Sequence, residues 1–162
     1  MPESVLREKI AHFLNTTPAA AATYNIIGPG VTSLDVNMNP KTIEEQYIHE
    51  SVGSTEVVGY QPNAPVEASA KFGDPVYDFV DGLRTSQAVG EDAKTDLVEV
   101  FLYKAEVTGE WPALQWNVAI QIDNGPGGEA GGMAKLKYTI NFNGSPTPGM
   151  FNPSTKTFTP DE

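Results

Sequence analysis

The clearest periodicity in the chain lies at 113–123, where Leu114, Trp116, Val118, Ile120 and Ile122 alternate with Ala113, Gln115, Asn117, Ala119, Gln121 and Asp123. A period of two places these sets on opposite faces of a strand, one for a core and one for polar surroundings. Residues 133–143 repeat the pattern, with Ala134, Leu136, Tyr138, Ile140 and Phe142 set against Met133, Lys135, Lys137, Thr139, Asn141 and Asn143. The two stretches are expected to pair as a long hairpin with the Gly-rich stretch 124–132 as its tip. At about 3.3 Å per residue each strand would run roughly 35 Å. A hairpin of that length in so small a chain asks for neighbours, although an ordinary sandwich with one wet face has the same periodicity.

Weaker patterns fill in the rest. Residues 96–104 are apolar on both faces, with Val98, Val100 and Leu102 opposite Leu97, Phe101 and Tyr103, as in a strand buried on two sides. Ala64, Val66, Ala68, Ala70 and Phe72 alternate with polar residues and predict another strand, as do Thr32, Leu34, Val36 and Met38 within 31–38. Asp74-Pro75 is a helix start, because Asp caps free N–H groups and Pro suits the first helical position. Val76, Phe79, Val80 and Leu83 follow at helical spacing, so a helix is predicted over about 75–88. Between 41 and 65 no period is sustained, and a long loop or loose hairpin is expected. Residues 150–152 and 155–159 read as a final short strand or extended arm. Near the start, Leu6, Ile10, Phe13 and Leu14 fall on one helical stripe that Glu3, Arg7, Glu8 and Lys9 avoid. The expectation is therefore an N-terminal helical arm over 1–22 and a single β domain over 23–162. The predicted fold class is mainly β, a sandwich or partial barrel of antiparallel strands with one flanking helix.

Composition narrows the chemistry. The chain has 162 residues, 40% of them apolar, which suits one core. It has no cysteine, so disulfides and thiolate chemistry are excluded. Acids outnumber bases 21 to 10, for a net charge of -11, and no basic patch for nucleic acid is present. The longest wholly apolar run, 19–22, is far short of a membrane span, and Arg7, Glu8 and Lys9 interrupt any signal-peptide core, so the chain reads as soluble and unprocessed. His12 and His49 have no partner at catalytic or metal-ligand spacing, and the acid pairs Glu44/Glu45 and Asp78/Asp81 read as solvated. The stretch 124–132 lacks the Gly-Lys-Ser/Thr ending of a phosphate loop and joins two strands. Asp123, Asn124 and Glu129 offer hard oxygen ligands without any calcium-loop spacing. The reading is of a non-enzyme without cofactor or metal.

The order of several motifs resembles the tail tube (major tail) proteins of long-tailed, siphovirus-type bacteriophages or prophages of Gram-positive hosts. In the first half the resemblance rests on Tyr24-Asn25-Ile26-Ile27-Gly28-Pro29-Gly30-Val31-Thr32-Ser33-Leu34, Asn39-Pro40, Tyr47-Ile48 and Asp74-Pro75-Val76. In the second half it rests on 116–123, Ile140-Asn141-Phe142-Asn143-Gly144-Ser145-Pro146, Gly149-Met150-Phe151 and Thr157-Phe158. It covers about 23–160, and the helical stripe at 4–15 has no counterpart in it.

The resemblance implies a structural virion protein. Six copies would close into a ring and rings would stack into a tail tube, with tape measure protein inside during assembly and DNA passing at ejection. Tail terminator and distal tail or baseplate proteins would be partners. The protein would reside in the virion tail after assembly in the host bacterial cytoplasm, without a membrane. With four strands per copy on the inner wall, roughly 24 strands at about 4.8 Å give a circumference near 115 Å, wide enough for duplex DNA. The candidate lumen-facing residues are Gln115, Asn117, Ala119, Gln121 and Asp123, an amide-rich face that leaves DNA free to slide. Lys135 and Lys137 fit such a wall only if their face points outward or if acids such as Asp123 or Glu99 pair with them. Candidate contacts between subunits or rings are Leu6, Ile10, Phe13, Leu14, Tyr47 and His49. Two other readings are a carbohydrate-type β-sandwich module, which would need Trp111, Trp116, Tyr60 or Tyr103 exposed, and the tube of a contractile injection system. The surplus of acid would help a wall around DNA avoid holding it.

Overall fold

The computed structural model describes residues 2–162. Among the described residues the strands are β1 (Ile10–Asn15), β2 (Tyr24–Ile26), β3 (Pro40–Glu45), β4 (Ser54–Tyr60), β5 (Asn63–Ser69), β6 (Lys94–Phe101), β7 (Trp111–Gly127), β8 (Lys135–Asn152) and β9 (Thr157–Pro160), with one α-helix, α1 (Pro75–Ser86). The main sheet runs β2-β1-β6-β7-β8-β5, with β9 sharing the second edge of β8. Every pairing is antiparallel. β3 and β4 pair only with each other.

The expected hairpin forms and is longer than its periodicity suggested. β7 and β8 pair from Trp111↔Phe151 to Gly127↔Lys135, so the predicted tip begins later and part of it is strand. One irregularity matters for the shape. Gln115 faces Thr147 and Asn117 faces Asn143, so 144–146 bulge out of β8 opposite a single residue of β7. Gly144 at φ +70° makes the turn there, a conformation that a Cβ disfavours.

The predicted helix is present. Asp74 accepts a hydrogen bond from the Tyr77 amide at 3.1 Å and Pro75 occupies the first turn. Gln87, left-handed at φ 51°, ends it. Val76 and Val80 are buried and join Leu14, Ala64, Val66, Leu97, Val118, Ile120, Leu136, Tyr138, Ile140 and Phe142 in the main core. Full burial of each larger apolar side chain stabilises by about 1.5–3 kcal/mol.

A second, smaller core lies on the opposite face of the sheet toward the Trp111 end: Ala11, Phe13, Tyr24, Val98, Val100, Ala113 and Phe151. Phe151 is its centre, with ring centroids 4.6 Å from Phe13 and 5.9 Å from Tyr24.

The N-terminal region differs from the expectation. A single 3-10 turn at Arg7–Lys9 leads into β1, which pairs with both β2 and β6 inside the main sheet. The stripe of Ile10, Phe13 and Leu14 is a strand buried on both faces, with Phe13 in the second core and Leu14 in the main one. The residues of 10–15 are thus part of the body and not of an arm. The segment 31–38 also departs from its predicted strand, since it touches β5 only through the single bridges Val31↔Ala68 and Asn37↔Asn63. Its apolar members still point inward, with Leu34 buried and Val31 and Val36 packed on the core. This segment carries the chain from β2, at one end of the sheet, to the free edge of β5 at the other, which nearly closes it.

Candidate functional site

Among the described residues no strand or helix packs over the sheet face opposite the main core across β6, β7, β8 and β5. Registers Asp96↔Asn117↔Asn143, Lys94↔Ala119↔Asn141↔Asn63, Gln121↔Thr139↔Pro65 and Lys137↔Glu67 place these side chains on one surface. Asn117, Gln121, Asp123 and Asn143 are exposed and Ala119 and Asn141 half-buried. The face is tied together by its own hydrogen bonds. Gln121 donates to Asp123 Oδ1 at 2.6 Å, Thr139 donates to Asp123 Oδ2 at 2.6 Å, and Asn141 donates to Gln121 Oε1 at 3.3 Å.

Four of the five candidate lumen residues share this face. Gln115 does not contribute to its open part. Beyond the bulge the second core covers that side of the sheet, and Gln115 Nε2 is turned inward, donating to Tyr24 Oη at 2.9 Å and to Asp96 Oδ2 at 3.2 Å. Asp96 also accepts from Asn15 Nδ2 at 2.9 Å and from the Tyr24 hydroxyl. Burial, then the bond to Asp96 and its charge, push the Tyr24 phenol well above its ordinary pKa and keep it a donor.

The lysines pair with an acid that the sequence reading did not single out. Lys135 and Lys137 lie 3.3 and 3.8 Å from the two carboxylate oxygens of Glu67 on β5, not beside Asp123 or Glu99. Lys94 pairs with Glu91 at 2.8 Å. The cross-strand neighbour was legible only once the register Glu67↔Lys137 was known.

The contact candidates separate. Phe13 (6% exposed) and Leu14 (0%) are core residues and unavailable to another copy. Leu6 is 58% exposed and Ile10 half-buried at the sheet margin. Tyr47 and His49 lie beyond β3 in the segment joining it to β4, their rings stacked at 6.3 Å. The β3–β4 ribbon is exposed along nearly its whole length and carries Ile43, Tyr47, Ile48, Val52, Val57, Val58 and Tyr60 on its surface. Sequence reasoning found no period here, because a ribbon outside the body has no inside face to mark.

His12 is buried at 3.8 Å from Glu99, outside hydrogen-bond reach, and its Nε2 has no partner among the described residues. Burial, with Arg7 nearby, lowers its pKa to about 4, and burial raises that of Glu99. Among the described residues no group of three or more acids or histidines could hold a metal ion, and no helix is long and apolar enough to cross a membrane.

Several solved structures share this architecture at low sequence identity. A chain from the tail of an empty gene transfer agent particle, determined with C6 symmetry, superposes with a TM-score of 0.63 at 13% identity, over 89% of this chain and 98% of that one. The fold is tail-tube-like. A chain from the tube-terminating cap of the anti-feeding prophage gives 0.55 at 14% identity, over 88% and 89% of the two chains. One from the sheath/tube terminator of an extracellular contractile injection system gives 0.52 at 12%, over 92% and 97%. No family model matches the sequence, and no curated protein matches it.

Proposed function

We propose that this chain is the tube subunit of a phage-like tail: a non-enzymatic structural protein whose copies form rings of six that stack into a conduit. The observation that carries this reading is the uncovered polar face of β6, β7, β8 and β5, hydrogen-bonded within itself and backed by a complete core. A wall for passing cargo needs such a surface.

The strand edges flanking that face support ring closure. The β1–β6 ladder ends at Leu14↔Leu97; beyond it Asn15 bonds the Thr95 hydroxyl and the Asp96 side chain, and no further ladder continues along 94–96 on that side among the described residues. Between its two single bridges the outer edge of β5 is likewise without one. Pro65 stands on that edge, where a missing N–H breaks no ladder bond. Joining the β5 edge of one copy to the β6 edge of the next would pair both and remove an aggregation hazard. The β3–β4 ribbon, with Tyr47 and His49 near its end, would reach the next ring, and Leu6 and Ile10 would lie at a subunit boundary. In this reading tape measure protein fills the tube during assembly, DNA passes through it, and terminator and distal tail or baseplate proteins close its ends in the virion.

Electron microscopy of the purified chain tests the proposal. Sixfold rings or filaments of uniform width are expected, and a monomer that stays monomeric at high concentration would sink it. The fold likeness to contractile injection system chains supports a second reading, the inner tube of a contractile machine rather than of a siphovirus-type tail of a Gram-positive host. Binding of sheath protein to preformed tubes separates the two. The carbohydrate-module reading loses its platform: Trp116 packs on the main core and Trp111 on the second, while Tyr60 and Tyr103 lie on separate elements.

A further inference from the structure

The polar face carries three lysines, and each has a carboxylate beside it. Lys94 has Glu91 at 2.8 Å; Lys135 and Lys137 share Glu67 at 3.3 and 3.8 Å. The sharing is the notable point. Lys135, Lys137 and Glu67 are all about half-exposed, so the pair of ammonium groups is reachable from the open face, and a single side chain on the neighbouring strand stands against both. The remaining acids of the surface are engaged otherwise: Asp123 by Gln121 and Thr139, and Asp96 by Asn15, Tyr24 and Gln115. No second carboxylate lies within ion-pair distance of Lys135 or Lys137 among the described residues.

From this we infer that Glu67 is a charge mask. It holds the Lys135–Lys137 pair so that the polar face does not grip a phosphodiester backbone. The inference rests on the reading of that face as a conduit wall, and it assigns the wall's indifference to DNA to one residue rather than to the net charge of the chain. Two lysines that meet phosphates release counterions, and each contact adds to both affinity and salt dependence. In a ring the effect multiplies by the number of copies, since identical pairs line one circumference and act together. The ion pairs themselves add little to stability, as exposed pairs generally do. Their value lies in where they leave the charge.

The test uses the full chain, its Glu67→Gln variant, and Glu56→Gln as a control that removes the same charge from the ribbon. On immobilised duplex DNA at low salt, Glu67→Gln is expected to be retarded and released as salt rises, while wild type and Glu56→Gln pass unretarded. Adding Lys135→Gln and Lys137→Gln to the Glu67→Gln background is expected to abolish the retardation. Glu67→Gln running with Glu56→Gln overturns the inference. Glu67 is a surface residue, so the variant should fold normally. Assembly is read separately by microscopy of the same wild-type sample: absent rings remove the tube reading, whereas the column result still decides the mask. Where tubes form, those of Glu67→Gln assembled with a short duplex should carry down at least about tenfold more DNA at low salt than wild-type tubes and lose it at high salt. Equal amounts of DNA in the two count against the mask.

Discussion

Asp96 sits where the open face meets the second core, and its carboxylate accepts from Asn15, Tyr24 and Gln115. Those donors come from β1, β2 and β7, so one side chain joins three strands to β6. Tyr24→Phe removes the charge-assisted bond to Asp96 and the bond accepted from Gln115 while keeping the ring on Phe151, and should cost about 1.5–3 kcal/mol in denaturant unfolding. A second consequence concerns His12, whose native pKa of about 4 lies below the ordinary histidine value of 6.5. Between those values the unfolded chain binds the proton and the native state does not. Stability therefore falls as pH drops from about 6.5 toward 4, by up to about 3 kcal/mol from this group. Glu99, raised by burial, acts in the opposite sense. His12→Gln should flatten the decline, read as the unfolding midpoint against pH. An unchanged slope would mean that other groups set the acid limit.

Elements differ in how plainly the sequence announces them, and the reason is which faces they bury. β7, β8 and β5 have one wet face and one dry face, so alternation at Val118, Ile120, Leu136, Ile140, Ala64 and Val66 located them and also marked the candidate wall. α1 was readable because Asp74 and Pro75 carry the start signal at the residues that form it. β1 is buried on both faces, and such a run has no polar phase, so Ile10, Phe13 and Leu14 fitted a helical stripe equally well. Gln115 had the correct phase, but covering by the second core depends on long-range packing around Phe151. The bulge at 144–146, which separates the open half of the sheet from the covered half, has no period to betray it. β9 illustrates a constraint of another kind. An added Cβ at Gly149 would lie 2.6 Å from Cζ of Phe158 and nearer still to the Thr159 carbonyl oxygen. Gly149→Ala should therefore release β9 from β8, seen as fast amide exchange across 157–160 and a lowered Tm, with the remaining sheet still protected.

At the level of the whole molecule the charge of -11 lies mostly away from the open polar face. The open face is close to neutral: Lys94, Lys135 and Lys137 stand against Glu67, Asp96 and Asp123. The surplus acid lies elsewhere, with Glu44, Glu45, Glu50 and Glu56 against Lys41 on the ribbon and its connecting segment, and Asp74, Asp78 and Asp81 against Arg84 at the helix. In the proposed tube, copies brought together would repel one another at surfaces other than the open polar face, while the apolar side chains of the ribbon, Ile48 and Val52 among them, would favour contact. Repulsion is screened beyond a Debye length of about 10 Å at 0.1 M salt, whereas apolar burial is not weakened by salt. Assembly should therefore strengthen as salt rises, the opposite trend to DNA retention by an unmasked lysine pair. Sedimentation of the wild-type chain across a salt series checks this, with more polymer expected at high ionic strength. Ile48→Asp should abolish elongation at every salt concentration while shifting the unfolding free energy by no more than about 0.5 kcal/mol, as befits a surface position. Polymer that dissolves as salt rises would show that attraction between unlike charges, and not the apolar ribbon, holds the copies together.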